Sequence, residues 1–270
     1  MSDSPPRPTA MRGPALAFAG GGLIGTLGGL IGLGGAEFRL PLLIGAYRFP
    51  ALPAIVLNKA MSLVVVASAL PFRAGAVPFA AVLDHWSVVA NLLAGSLLGA
   101  WLGAGWAIRL KSATLFRVIA GLLVAIAIVL LLGHDVATPD HSLLSGGSLM
   151  VAGAAAGFMI GVVASLLGVA GGELLIPTLI LLFGIDIKLA GSLSLAVSLP
   201  TMVVGFARYG RDGSFAVLRQ NRAFVVAMAA GSIAGSFVGA RLLGLVPNAV
   251  LLPILAAILL ISSIKVWRHG

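Results

Sequence analysis

Residues 32–44 read GLGGAEFRLPLLI, and residues 168–180 read GVAGGELLIPTLI. Each stretch is a knot of glycines inside a long apolar run, followed by a glutamate and, four residues later, a proline. Glycine adopts backbone angles that other residues resist, and Pro41 and Pro177 have no amide hydrogen to donate. A run this apolar, broken in this way, reads as a discontinuous membrane helix. In duplicated membrane proteins such helices are where substrates and coupling ions are held.

The two stretches lie 136 residues apart, and that offset pairs positions along nearly the whole chain. Gly25 pairs with Gly161, Gly32 with Gly168, Gly35 with Gly171, Glu37 with Glu173 and Pro41 with Pro177. Further on, Ser62 pairs with Ser198, and Asn58 stands where Ser194 does. Gly95, Ser96, Gly99, Gly103 and Ala104 pair with Gly231, Ser232, Gly235, Gly239 and Ala240. An ancient duplication is the simplest account. Glycines at i, i+4 and i+8 share one helix face and let another backbone approach, so this last set predicts close helix packing.

Composition sets the class. The 270 residues are 60% hydrophobic and 9% charged, with mean hydropathy +1.13, whereas about a quarter of a soluble domain is charged. Several apolar runs approach the ~20 residues needed to cross a bilayer. The alternating segments of a transmembrane barrel are absent. The expectation is an all-α, polytopic helical membrane protein built from two homologous four-segment repeats with discontinuous first helices.

The expected division is a disordered cytoplasmic tail at 1–13, a first repeat at 14–133, a linker at 134–146 and a second repeat at 147–270. The apolar runs are 14–46, 52–72, 86–107 and 114–133, then 147–183, 189–207, 222–243 and 248–267. The first run of each repeat is interrupted, at 32–37 and at 168–173. Trp86, Trp106 and Trp267 sit at run ends, as interfacial anchors do. Arg7 and Arg12, the apolar run that follows and Ala17-Phe18-Ala19 mimic a cleavable signal peptide, but residues 15–35 align with 151–171, which lie mid-chain.

Lysine and arginine counts bear on orientation. With Arg39 and Lys59 set aside as lying inside apolar runs, eight full crossings put nine basic residues on the N-terminal side and six on the other. Three crossings per repeat, with a first run that dips in and returns, give twelve against three. Inverted repeats with both termini cytoplasmic are therefore preferred. Residues 14–31 alone are long enough to span a thin bilayer, so a full crossing followed by a short return segment stays open.

The net charge of +9 follows that bias and does not mark a nucleic-acid binder. With no cysteine, and with His85, His134, His141 and His269 in loops or at the terminus, neither a metal site nor a cofactor is expected. No nucleophile–base pair or paired aspartates lie at depth, so the chain is not read as an enzyme.

Half-helices starting near Gly34 and Gly35, and near Gly171 and Gly172, would present unpaired amides and a positive dipole end to a shared midplane. That is an anion site. Asn58 and Ser62, and Ser194, Ser198 and Thr201, fall on single helix faces and could grip the oxygens of an oxyanion. The plainer alternative is that they bond their own backbone or a neighbouring helix. Glu37 and Glu173 are ionisable groups at depth, a functional signal by default. They either cap the half-helices or take up protons as the anion binds. Arg39 faces Leu175 in the other repeat and could pair with Glu37. Lys59 faces Leu195 and is expected to snorkel to the interface.

The motif copies GLGGAEFRLP and GVAGGELLIP, with the eight-run duplication, resemble the TauE/SafE sulfite-exporter family over roughly residues 14–268. The resemblance implies a transporter of the bacterial inner membrane for sulfite, sulfonates or related sulfur-containing anions. This chain departs from the family pattern in placing Glu37 and Glu173 where the knot is often apolar. The function expected is secondary transport of small anions, with proton coupling through those glutamates. An anion channel or a transporter of another small solute is the alternative. The expected partners are the anion and membrane lipid, with a homodimer left open.

Overall fold

The computed structural model of the protein describes residues 13–31, 35–73, 77–132, 146–211 and 213–242, together with Leu260 and Ile264. The tail, Gly34, the 133–145 connection and most of the eighth run, for which the sequence sets expectations, lie outside the described residues. The described chain is helical throughout and contains no strand. The N-terminal half of the chain holds α1 (Pro14–Ile31), α2 (Ala36–Gly45), α3 (Ala51–Arg73), the short α4 (Phe79–Asp84), α5 (Trp86–Arg109) and α6 (Ser112–Leu132). The C-terminal half holds α7 (Gly146–Leu167), α8 (Gly172–Phe183), α9 (Ile187–Arg211), the short α10 (Ala216–Gln220) and α11 (Arg222–Leu242).

Both interrupted runs break where the glycines stand. Gly35 (φ +69°) precedes α2, and Gly171 (φ +84°) precedes α8, each in the left-handed region. Each return helix starts alongside the middle of the helix before it, with Gly35 against Ile24 and Gly171 against Ile160 and Ala164. Pro41 and Pro177 lie past the first turn of α2 and α8. Each removes the helical bond to the carbonyl four residues back, which belongs to Glu37 or Glu173. The motif thus opens the start of each return helix twice, once at the glycine and once at the proline.

Among the described residues, five helices are long and apolar enough to cross a membrane: Ala51–Ala69, Trp86–Arg109, Gly146–Leu167, Leu189–Arg211 and Arg222–Gly239. Large apolar side chains such as Leu23, Leu98, Val151 and Val226 are exposed on the outer faces. Trp86 and Trp106, near the two ends of α5, are exposed as well. The chain is a multi-pass helical membrane protein.

The first helix of each half packs on the third long helix of the other half, α1 on α11 and α5 on α7. Glycine makes this possible. A Cβ at Gly95, Gly99 or Gly103 would strike the carbonyls of Ala154, Phe158 or Val162, and one at Gly157 or Gly161 those of Leu92 or Ser96. Across the other contact, Gly231 and Gly235 meet Phe18 and Gly22, while Gly21 and Gly25 meet Met228 and Ser232. The pairs at Gly95, Gly99, Gly157 and Gly161 map onto those at Gly231, Gly235, Gly21 and Gly25 at the 136-residue offset.

The pairings also give directions. Partners rise together along α5 and α7, and along α1 and α11, so each pair runs parallel. Ser96 with Thr201 and Gly105 with Arg208 place α9 parallel to α5. Against α7 the order reverses along α3: Ile55 lies by Gly168, Asn58 by Leu167 and Lys59 by Ser165. Phe224, near the start of α11, packs on Tyr47 and Phe49, just ahead of α3. The Tyr47 hydroxyl donates to Leu16 near the start of α1. Thus α1, α3 and α11 begin at the end where α5 and α9 finish.

Candidate functional site

The two knots meet on α3. Asn58 is fully buried, and its Nδ2 donates to the Ala36 carbonyl at 3.0 Å and to the Leu167 carbonyl at 3.3 Å. One carboxamide therefore ties the start of α2 to the end of α7. Gly168 (φ +66°) lies so close to α3 that a Cβ there would collide with the Ile55 carbonyl.

Arg39 projects into this junction from the first turn of α2. It is 0% exposed and is the largest fully buried side chain among the described residues. Nη1 donates to Ser62 Oγ at 2.9 Å and to Asn58 Oδ1 at 3.4 Å. Nη2 donates to Ser232 Oγ of α11 at 3.1 Å. Nε is buried without a partner. A guanidinium whose described partners are all neutral oxygens keeps its charge for whatever enters beside it, and its planar fork suits an oxyanion.

The other half repeats the scaffold with different chemistry. Leu175 stands in place of Arg39, Ser194 of Asn58, Ser198 of Ser62 and Ser96 of Ser232. Ser194 Oγ donates within its own helix to Gly191 at 2.8 Å. Ser198 Oγ is buried and unpartnered. Thr201 Oγ1 shares a 2.7 Å hydrogen bond with Ser96 Oγ and also donates to the Val197 carbonyl at 2.8 Å. Glu173 is 1% exposed, and neither of its carboxylate oxygens has a side-chain or main-chain partner within hydrogen-bond geometry among the described residues. Buried acceptors left unpaired are rare and call for an explanation.

These placements sort the sequence candidates. Gly35, Gly171 and Gly172 stand where the return helices begin, with amides that have no helical acceptor. Asn58 and Ser62 join Arg39. Ser198, Thr201 and Glu173 are buried in the opposite half, while Ser194 bonds its own backbone, as the plainer alternative had it. Gly34 and the Glu37 side chain lie outside the described residues. Neither return helix has a side-chain cap on its N-cap residue, which is glycine in both.

Two side chains left out of the candidate set are central. Arg39, which the sequence allows to pair with Glu37, has its described bonds to Asn58, Ser62 and Ser232, and the Glu37 side chain lies outside the described residues. Lys59 does not snorkel. It is 0% exposed, with Nζ 3.2 Å from Ser165 Oγ and 3.5 Å from the Ala164 carbonyl. The reason is that the end of α7 and Gly205 of α9 close around its Nζ. One signal in the sequence marked both residues: each is a charge facing a leucine across the repeat.

Among the described residues, no group of three or more His, Asp or Glu could hold a metal ion. Compared with known families, residues 17–266 match the family described as Sulfite exporter TauE/SafE. No curated protein and no solved structure matches the chain.

Proposed function

The chain belongs to the TauE/SafE sulfite exporter family, and from that premise we propose that it is a secondary transporter of small sulfur-containing anions such as sulfite or organosulfonates. The observation that carries this reading is Arg39, a fully buried guanidinium whose described partners are neutral, where the two broken helices meet. An ionisable group at membrane depth marks an ion pathway by default. Asn58, Ser62 and Ser232 hold the cation in place. The amides following Gly35 and Gly171 add positive dipole ends.

In this reading the repeats are inverted. The antiparallel order of α3 and α7, set against α5, α7 and α9 running one way, supports that relation. The end where α5 and α9 finish carries Arg109, Lys111, Arg208 and Arg211, with Arg219 and Arg222 in the connection that follows α9. By the positive-inside bias that end faces the cytoplasm, and the membrane is the bacterial inner membrane. Glu173, buried with both oxygens unpaired, and Glu37 in the matching position, carry protons that travel with the anion.

A negative interior favours anion exit by about 2.3 kcal/mol per charge per 100 mV. An exporter of a dianion therefore needs no coupling ion, and uptake does. The test is flux of sulfite, methanesulfonate and chloride in proteoliposomes, with and without a pH gradient. Saturable sulfite or sulfonate flux above that of empty liposomes is expected. Identical flux in both preparations for every anion would remove the proposal.

A further inference from the structure

Lys59 takes no part in the anion site described above, yet three features are built around it. Its Nζ bonds Ser165 Oγ and the Ala164 carbonyl in the last turn of α7. Gly205 of α9 makes the room, since a Cβ there would stand 2.8 Å from both Nζ and Ser165 Oγ. Tyr209, one turn further along α9 and fully buried, donates to the Ser165 carbonyl at 2.9 Å and fixes that turn. All of these positions depart from the repeat. Leu195 faces Lys59, Gly29 faces Ser165, Ala69 faces Gly205 and Arg73 faces Tyr209.

A lysine at a helix C-terminus commonly caps the last carbonyls. The other half argues against that as the whole role, because α1 ends at the same kind of break and Leu195 offers it no cation. The contacts are also long. Charge-assisted N–H···O bonds run at about 2.7–2.9 Å, against 3.2 and 3.5 Å here. An ammonium has three hydrogens to donate, and the described residues offer Nζ two acceptors. A hydroxyl both donates and accepts, so Ser165 Oγ serves an ammonium as acceptor and an amine as donor.

We propose that Lys59 is a proton carrier of the transport cycle, binding one proton at Nζ in one part of the cycle and releasing it in another. The N–H bond is the only covalent bond made or broken, and the proton comes from water and returns to it. The proposal rests on the anion-transport reading, because the proton moves with that cargo. The groups facing Lys59 do not substitute for it. α7 has no titratable side chain. α9 contributes the Tyr209 hydroxyl, engaged with Ser165, and Arg208, whose guanidinium lies over Trp101. Arg39 of α2 is tied to Asn58 and Ser62. Arg117 of α6, Arg219 of α10, and Arg222 and Arg241 of α11 are exposed.

The experiment measures protons moved per anion, from the reversal potential of sulfite flux in proteoliposomes under imposed pH gradients. Lys59→Met should lower that number by one while sulfite flux persists. Lys59→Arg keeps a cation that does not deprotonate and should lower it equally, which covers the case in which the methionine variant does not fold. Ser165→Ala should shift the pH at which flux is half-maximal. A wild-type protein that moves sulfite without protons, or variants that move as many protons as wild type, would overturn the proposal and leave the anion reading standing. Absence of sulfite flux from wild type would instead remove the anion reading beneath it.

Discussion

Replacing Arg39 with leucine makes the first knot chemically like the second, where Leu175 already holds that position. An anion about 4 Å from the guanidinium, at the effective dielectric of ~20 that describes protein sites, gains about 4 kcal/mol. That corresponds to about a thousandfold in affinity. The same change leaves Asn58 Oδ1, Ser62 Oγ and Ser232 Oγ without their donor. Each buried acceptor so stranded costs about 1–3 kcal/mol. Removing a desolvated cation and burying a leucine offset much of this. Arg39→Leu should therefore stay folded and monodisperse in detergent while the half-saturating sulfite concentration rises at least a hundredfold. Arg39→Lys keeps the charge but loses the fork and should fall between. Initial rates over a sulfite series in proteoliposomes, paired with melting curves, separate binding from folding. An Arg39→Leu protein with wild-type half-saturation and rate would refute the reasoning, because the buried cation would then have no contact with the cargo.

Four further outcomes follow from the geometry. Gly35→Ala should destabilise more than Gly171→Ala: both carry left-handed strain of about 1–2 kcal/mol, but a Cβ at Gly35 stands 2.5 Å from the Ile24 carbonyl whereas one at Gly171 meets side chains at 3.1 and 3.3 Å. Melting temperatures decide it. Asn58→Ala removes the hydrogen bonds to the Ala36 and Leu167 carbonyls and should cost about 1–3 kcal/mol, seen as a lowered melting temperature. Gly99→Val and Gly235→Val push against the Phe158 and Gly22 carbonyls in matching contacts, so both should fail in size-exclusion profiles to a similar degree. Glu173→Gln retains the shape of a carboxyl group buried without partners. It should keep sulfite flux but respond less to an imposed pH gradient.

Much of the architecture is written locally. The breaks before α2 and α8 follow from Gly35 and Gly171 and from Pro41 and Pro177, whose effects act within a turn of themselves. The glycine ladders on α5 and α11 announced close packing, since the absence of a Cβ is a property of the residue. What each ladder packs against was not legible. That α5 takes α7, and α11 takes α1, depends on how two halves of the chain interlock. The site divides in the same way. Asn58 and Ser62 could be placed on one helix face by spacing alone. Their bonds to Ala36, Leu167 and Arg39 needed three other segments in position.

By itself, then, the sequence determined the helical membrane class, the position of both breaks and the faces that carry polar groups, because hydropathy, glycine and proline act over a few residues. Only the tertiary structure decided that one carboxamide clasps both knots, that Arg39 turns to α3 and α11, and that Lys59 is enclosed. A long flexible cation takes its partners from whatever surrounds it, and those surroundings come from segments more than a hundred residues away, Ser232 for Arg39 and Ser165 for Lys59.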